Sequence, residues 1–175
     1  MTEPASKPQD GSSPTRHGSG GSFRCPICNS GEAQRLFAPL LRCRTCGLVC
    51  TDPTYVAPAD TLYGETYYTE RNAYLGDNDI FLRMFGRMMD GAQRYKPTGR
   101  LLDIGCGVGQ LLQVAQGRGY QVSGCDISAW ATDYARSAGY DVRTGALDEL
   151  HYAAQSFDVA VASHTLEHVP EPLPF

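Results

Sequence analysis

No apolar run in these 175 residues approaches the roughly 18 to 20 that a bilayer crossing needs, so no membrane span is expected. The opening residues, MTEPASKPQDGSSPTRHGSGGS, lack the apolar core of a secretory signal, and a cytoplasmic location follows as the expectation. A basic surplus is missing too. Fifteen Lys and Arg against 19 Asp and Glu leave a net charge of −4, which argues against a surface built to neutralise many nucleic-acid phosphates. Residues 1–22 hold five Ser, four Gly and three Pro with hardly a large apolar side chain, too little burial to offset the cost of ordering them. They are expected to form a disordered tail. The whole chain is 42% hydrophobic, and its length is enough for about one globular domain with a small satellite.

What the sequence does have is cysteine, seven of them, and with no export signal their grouping points to metal before disulfides. Cys25-Pro-Ile-Cys28 and Cys43-Arg-Thr-Cys46 are two C-x2-C turns separated by 14 residues, a spacing that brings four thiolates around one tetrahedral Zn²⁺. Asn29 and Gly47, directly after the two pairs, tolerate the left-handed backbone that such turns require. Residues 23–54 are therefore expected to be a zinc ribbon, stabilised by the ion because a unit this small cannot rely on core burial. Four Cys close the coordination sphere, so the metal would be structural; four unrelated buried cysteines, a pair of disulfides or an iron–sulfur cluster are the alternatives. Cys50, Cys106 and Cys125 fall outside the pattern and read as small buried side chains. Arg24, Arg35, Arg42 and Arg44 read as a solvated face, with RNA contact the alternative.

Residues 55–98 begin with a Tyr-rich segment (Tyr55, Tyr63, Tyr67, Tyr68, Tyr74). They continue with Ile80, Phe81, Met84, Phe85, Met88 and Met89, spaced as the stripe of an amphipathic helix that Pro97 and Gly99 end. The tyrosines could lid a pocket or be core. From residue 99 to 175 apolar runs alternate with glycine turns and helical stretches. The expected strands are Arg100–Ile104, Tyr120–Cys125, Asp141–Arg143 and Phe157–Ser163; the expected helices are Gln110–Arg118 and Ser128–Ser137, the latter capped by Ser128. This alternation implies an α/β fold: a doubly wound, Rossmann-like parallel sheet of about four strands with helices on both faces.

The strand Leu101-Leu102-Asp103-Ile104 runs into Gly105-Cys106-Gly107-Val108-Gly109. A dinucleotide site of the G-x-G-x-x-G type would place its third glycine at position 110, which is Gln here, so a nicotinamide dehydrogenase is disfavoured. An acid two residues before a G-x-G-x-G turn suits a ligand with a positive ammonium group and no pyrophosphate. Asp126 ends the next strand, 23 residues on, where a carboxylate can accept hydrogen bonds from both hydroxyls of a ribose. Either feature alone could be a tight turn or a helix cap; their order and spacing favour ligand binding.

These motifs resemble the class I S-adenosylmethionine-dependent methyltransferases, in the subgroup where a cysteine ribbon precedes the catalytic domain. The resemblance rests on LLDIGCGVG, Asp126, Gly145-Ala146-Leu147, Phe157-Asp158-Val159 and His164-Thr165-Leu166-Glu167-His168-Val169. Upstream it extends to CPIC, CRTCGLV with Asp52-Pro53, and Tyr67-Tyr68. It implies that Asp103 with Gly105, Cys106, Gly107 and Gly109 holds the methionine portion of S-adenosylmethionine. Asp126 would hold the ribose, Ile127 would pack on the adenine, and Ala146 with Leu147 would border the base. His164 would face the sulfonium side, either as general base or simply as the start of the next helix, as Glu167 and His168 would be. A small-molecule acceptor, such as a sugar or other metabolite, is the expected partner. An RNA base methyltransferase gripping its substrate by the ribbon is the alternative, weakened because no Asn/Asp-Pro-Pro-aromatic sequence follows the fourth strand. A non-catalytic binding remnant is a further one. Because the family's sheet continues beyond a fourth strand, a chain ending at Phe175 is expected to be a C-terminally truncated copy, keeping the ligand-facing half of the pocket with little turnover; a partner supplying the missing half is the alternative.

Overall fold

The computed structural model describes residues 23–55, 62–71, 78–169, 172–173 and 175. The expected tail and Tyr74 lie outside the described residues. The chain divides into two compact units, Met1–Ala57 and Pro58–Phe175.

In the first unit, β1 (Ala33–Phe37), β2 (Leu40–Cys43) and β3 (Val49–Thr51) form an antiparallel sheet in the order β1-β2-β3. Buried apolar side chains here are few: Cys25, Leu41 and Cys43. Burial that small cannot hold a fold by itself. A polar brace adds to it. The buried Asp52 accepts from Arg35 at 2.8 Å and from the amide and hydroxyl of Thr54, fixing the turn at Asp52-Pro53. Arg35 is thus committed to an internal ion pair and is not simply part of a solvated face.

The second unit begins with a one-turn π-helix, Tyr67–Arg71, followed by α1 (Asn78–Gln93). Met89 is fully buried, with Phe85 and Met88 packed beside it, whereas Ile80, expected on the same stripe, is exposed. The sheet then follows as β4 (Gly99–Ile104), α2 (Gln110–Gln116), β5 (Tyr120–Asp126), α3 (Ala129–Ser137), β6 (Asp141–Thr144) and β7 (Val159–Val161). All pairings are parallel, in the order β6-β5-β4-β7. β4 is central, which is why Leu101 to Ile104 are buried on both faces. Ser128 caps α3 as expected, accepting from the Ala131 amide.

Helix cover differs between the two faces. Leu101 packs with Met89 of α1 and Leu111 of α2, and Val142 packs with Leu112 of α2 and Ala135 of α3. On the opposite face Leu102, Ile104 and Cys125 are covered, among the described residues, by Leu147, Leu150, Tyr152 and Phe157 from the irregular stretch before β7. Left-handed backbone at His151 (φ 46°) and Gln155 (φ 61°) prevents that stretch from winding into a helix. β7 is also shorter than the expected Phe157–Ser163. Phe157 turns into the cluster with Tyr152, and Asp158 turns its carboxylate to the backbone and side chain of Arg100 at the start of β4. His164 (φ 55°) leaves the extended region just beyond the other end.

Candidate cofactor site and four-cysteine cluster

The strand order reverses beside β4: the chain moves to β5 on one side and later returns to β7 on the other. In open parallel sheets this is where a crevice forms outside the carboxyl ends of the strands. A cavity of about 790 Å³ occupies that position in the second unit. Asp103, Gly105, Cys106 and Gly107 line it from the end of β4, Asp126 and Ile127 from the end of β5, Ala146 and Leu147 from the loop after β6, and His164 from the loop after β7. Nine of the residues read from the sequence as the cofactor and catalytic set therefore share one space.

Gly109 does not. It stands at the start of α2 with φ 89°, and a side chain there would press against the ring of Tyr140. Its glycine serves the turn and the helix entry instead of the cavity wall. Cys106 lines the cavity while its side chain packs with Leu112, Ala135 and Val142. Burial pushes its thiol pKa well above the ordinary value, so it is an inert packing group.

The glycine turn is held by strict geometry. Gly105 (φ 76°) and Gly107 (φ 51°) are left-handed, and a Cβ on Gly105 would collide with the side chain of Thr165. Thr165 Oγ1 donates to the Ile104 carbonyl at 2.8 Å, tying the loop after β7 to the end of β4. Thr165 carries no local signal for this role, since only the folded chain reveals a neighbour 61 residues away. Asp126 is the second organiser. Its Oδ2 accepts from the Gly107 amide and its Oδ1 from the Ser128 amide, both at 2.8 Å, which fixes the carboxylate while each oxygen retains further acceptor capacity. Tyr68 covers the turn from above: it is buried against Val108 and Ala131, stacks on Trp130, and lies in contact range of Gly107. The segment carrying it is anchored by Ser128, whose Oγ donates to the Tyr63 carbonyl at 2.5 Å.

Burial raises the pKa of Asp103 to about 8, and the nearby charge of Asp126 adds to the effect. Burial also raises Asp126, opposed by the amides that point at it. Two buried carboxyls in a crevice that, among the described residues, no Lys or Arg lines form a site that gains electrostatically from a ligand cation. The ammonium and sulfonium of S-adenosylmethionine meet that demand, and the free acceptor positions of Asp126 match a ribose diol. The residues present fit the group. His164 Nδ1 lies 3.4 Å from Glu167 Oε1, and the Tyr63 ring meets His168 edge to face at 6.1 Å. Leu166–His168 form a single 3-10 turn.

In the first unit Cys25, Cys28, Cys43 and Cys46 place all four sulfurs within 4.8 Å of one another. The Cys25–Cys46 and Cys28–Cys43 separations are each 3.5 Å, far beyond a disulfide's ~2.05 Å. They are close to the ~3.8 Å edge of a tetrahedron with metal–sulfur bonds of ~2.3 Å. Asn29 (φ 57°) and Gly47 (φ 80°) take the left-handed conformation expected of them. The amides of Cys46 and Thr45 are directed at Cys43 and lower its thiol pKa, while burial and the neighbouring sulfurs raise that of Cys28. Cys50 lies outside the set, half-buried.

Comparisons with known proteins agree with this reading of the second unit. A family model described as a methyltransferase domain matches residues 78–174. A ubiquinone biosynthesis O-methyltransferase of Hahella chejuensis is 40% identical over 83 residues, covering 43% of this chain and 35% of that protein. The chain spans about a third of the length of the curated relatives it matches. Among solved structures, a SAM-dependent methyltransferase from Archaeoglobus fulgidus superposes with a TM-score of 0.50 at 22% identity, over 60% of this chain and 47% of the other. A Methanococcus maripaludis protein assigned to the same class gives 0.53 at 12% identity, over 63% and 55%. These two likenesses concern the fold. Among the described residues no helix is long and apolar enough to cross a membrane. With the family match running from the first residue of α1 past the last strand, over more than half of the chain, this chain belongs to the methyltransferase-domain family.

Proposed function

We propose that this protein binds S-adenosylmethionine in the crevice beside β4 and passes its methyl group to a small-molecule acceptor, a sugar or other metabolite, while the four cysteines hold a structural Zn²⁺. The observation that carries the proposal is the meeting of Asp103, the Gly105–Gly107 turn and Asp126 in one cavity at the point where strand order reverses. When bound, the cofactor supplies a methyl group on a sulfonium, already a good leaving arrangement. Asp103 would stand against the ammonium, and Asp126 would accept from the ribose hydroxyls. Ile127, Ala146 and Leu147 would border the base. His164, which lines the cavity, would take the acceptor's proton. The rate would come mainly from alignment of the acceptor behind the methyl group. The O-methyltransferase activity of the curated relatives favours oxygen as the attacking atom. The ribbon, residues 23–54, would be a folding module, with 55–98 forming the acceptor side and 99–175 the cofactor side. A cytoplasmic site of action fits the sequence.

Side-by-side calorimetric titration with S-adenosylmethionine and NAD tests the cofactor assignment. Saturable binding of the first alone is expected. Asp126→Ala should weaken it at least about tenfold, because each hydrogen bond to a charged group contributes roughly 1.5–3 kcal/mol. With radiolabelled methyl donor, label should move into low-molecular-weight product, and His164→Asn should slow that transfer. Preference for NAD, or label recovered in RNA, would contradict the proposal.

A further inference from the structure

The three-stranded sheet of the first unit has two faces, and the four-cysteine cluster uses one of them. Residues paired across strands share a face, so Ala33 with Cys43, Arg35 with Leu41 and Leu41 with Cys50 define the side on which Leu41 and Cys43 are buried. The opposite side carries two rows, Gln34-Arg42-Val49 and Phe37-Leu40-Thr51. In an unbroken β1, Phe37 would fall with Arg35 on the cluster side; the register shift between them turns its ring to the other face. Phe37 is 65% exposed and Val49 42%, and Gln34, Arg42 and Thr51 are exposed beside them. Arg44, two positions beyond Arg42, is exposed too, and its amide still donates to the Glu32 carbonyl, so the alternation carries on to it. Neither Arg42 nor Arg44 forms an ion pair among the described residues, and neither row contains an acid. Arg35, on the cluster side, is by contrast committed to Asp52.

Exposed Phe, Leu and Val side chains with unpaired arginines beside them have the make-up of a protein interface, where aromatic residues and Arg are enriched. A nucleic-acid surface would need a basic surplus, and the chain carries a net charge of −4. Three strands spaced by about 4.8 Å make a face about 10 Å wide, the diameter of one helix. A helix laid over Phe37, Leu40 and Val49 by its apolar stripe brings its flanks over Arg42 and Arg44, where a carboxylate is attracted and a Lys or Arg repelled. We infer that the open face of the ribbon sheet docks an acidic amphipathic helix of a partner protein. A face this small makes a transient contact. The inference is independent of the methyl-transfer reading, because no residue of the cofactor cavity enters it.

The test uses the full, zinc-loaded chain, followed by amide NMR and calorimetry while three probes are added: a Leu/Glu amphipathic helical peptide, its Leu/Lys counterpart, and single-stranded oligouridylate. The Leu/Glu peptide should bind at least about tenfold tighter than either of the others, with the largest shifts at Gln34, Phe37, Arg42 and Val49. Phe37→Glu should weaken it at least about fivefold, and the double variant Arg42→Glu, Arg44→Glu should reverse the preference to the Leu/Lys peptide. Zinc content reports whether each variant is folded. Phe37 lies outside both C-x2-C turns, so Phe37→Glu carries the test by itself if the double variant loses its metal. No saturable binding of the Leu/Glu peptide, shifts confined to residues 99–175, or an affinity unchanged in Phe37→Glu would overturn the inference. Tighter binding of oligouridylate would give the face to nucleic acid, and dimerisation of the chain alone, lost in Phe37→Glu, would give it to a second copy; either result overturns it as well.

Discussion

Asp103 and Asp126 share a crevice yet are held in different ways. Asp126 is fixed by two amide hydrogen bonds, whereas Asp103 is buried with its pKa raised to about 8 from an ordinary 3.8. The folded, ligand-free chain therefore retains a proton on Asp103 that the unfolded chain has already lost. Its contribution to stability is intact below about pH 4 and is lost progressively as the pH rises through about 8. Asp103→Asn should accordingly melt higher than the parent at pH 8, by a few degrees or more, with the gap closing toward pH 4. The same substitution should weaken cofactor binding, because it removes the partner of the ammonium group. Binding to the parent protein near pH 7 should release close to one proton, measurable by calorimetry in buffers of different ionisation enthalpy. No proton release, together with an unchanged melting profile for Asp103→Asn, would show that this carboxyl is charged before the ligand arrives.

At the scale of elements, Ser128 joins three: its hydroxyl caps α3, its amide braces the acid at the end of β5, and its hydroxyl also reaches the Tyr63 carbonyl. Ser128→Ala should cost about 1–2 kcal/mol, seen as a melting point lower by roughly 2–8 °C. A loss below about 0.3 kcal/mol would mean that neither bond matters. The elements around this residue were legible in the sequence because their signals are local. Leu101, Leu102 and Ile104 running into glycines give β4, and a Ser before a helical stripe gives the cap of α3. The elements that differed depend on distant partners. β7 loses its first two residues because Phe157 and Asp158 bind Tyr152 and Arg100, and Gly109 stands beside Tyr140 and not in the cavity wall. The three short strands of the first unit carry little periodic pattern, since burial there is slight and the cysteines set the geometry. Thr165 was invisible as a site residue for the same reason: its role is defined by what folds against it.

Over the whole chain, two sources of stability operate. The second unit is held by a parallel sheet and its helix cover, the first by a small antiparallel sheet around four sulfurs. One Zn²⁺ per chain is expected by elemental analysis, lost in Cys43→Ser. Chelation should abolish the amide protection of residues 23–54, because metal binding of this kind contributes on the order of 10 kcal/mol to folding. A metal-free preparation with that protection intact would contradict a structural ion. The claim on which everything functional depends is narrower: an acid, a left-handed glycine turn and a second acid around β4 and β5 grip an adenosyl sulfonium. A crystal of the protein soaked with S-adenosylhomocysteine tests it most directly. Density is predicted in the cavity, with the ribose hydroxyls on Asp126 and the amino group beside Asp103; an empty crevice at saturating ligand, or the nucleoside bound elsewhere, would contradict it.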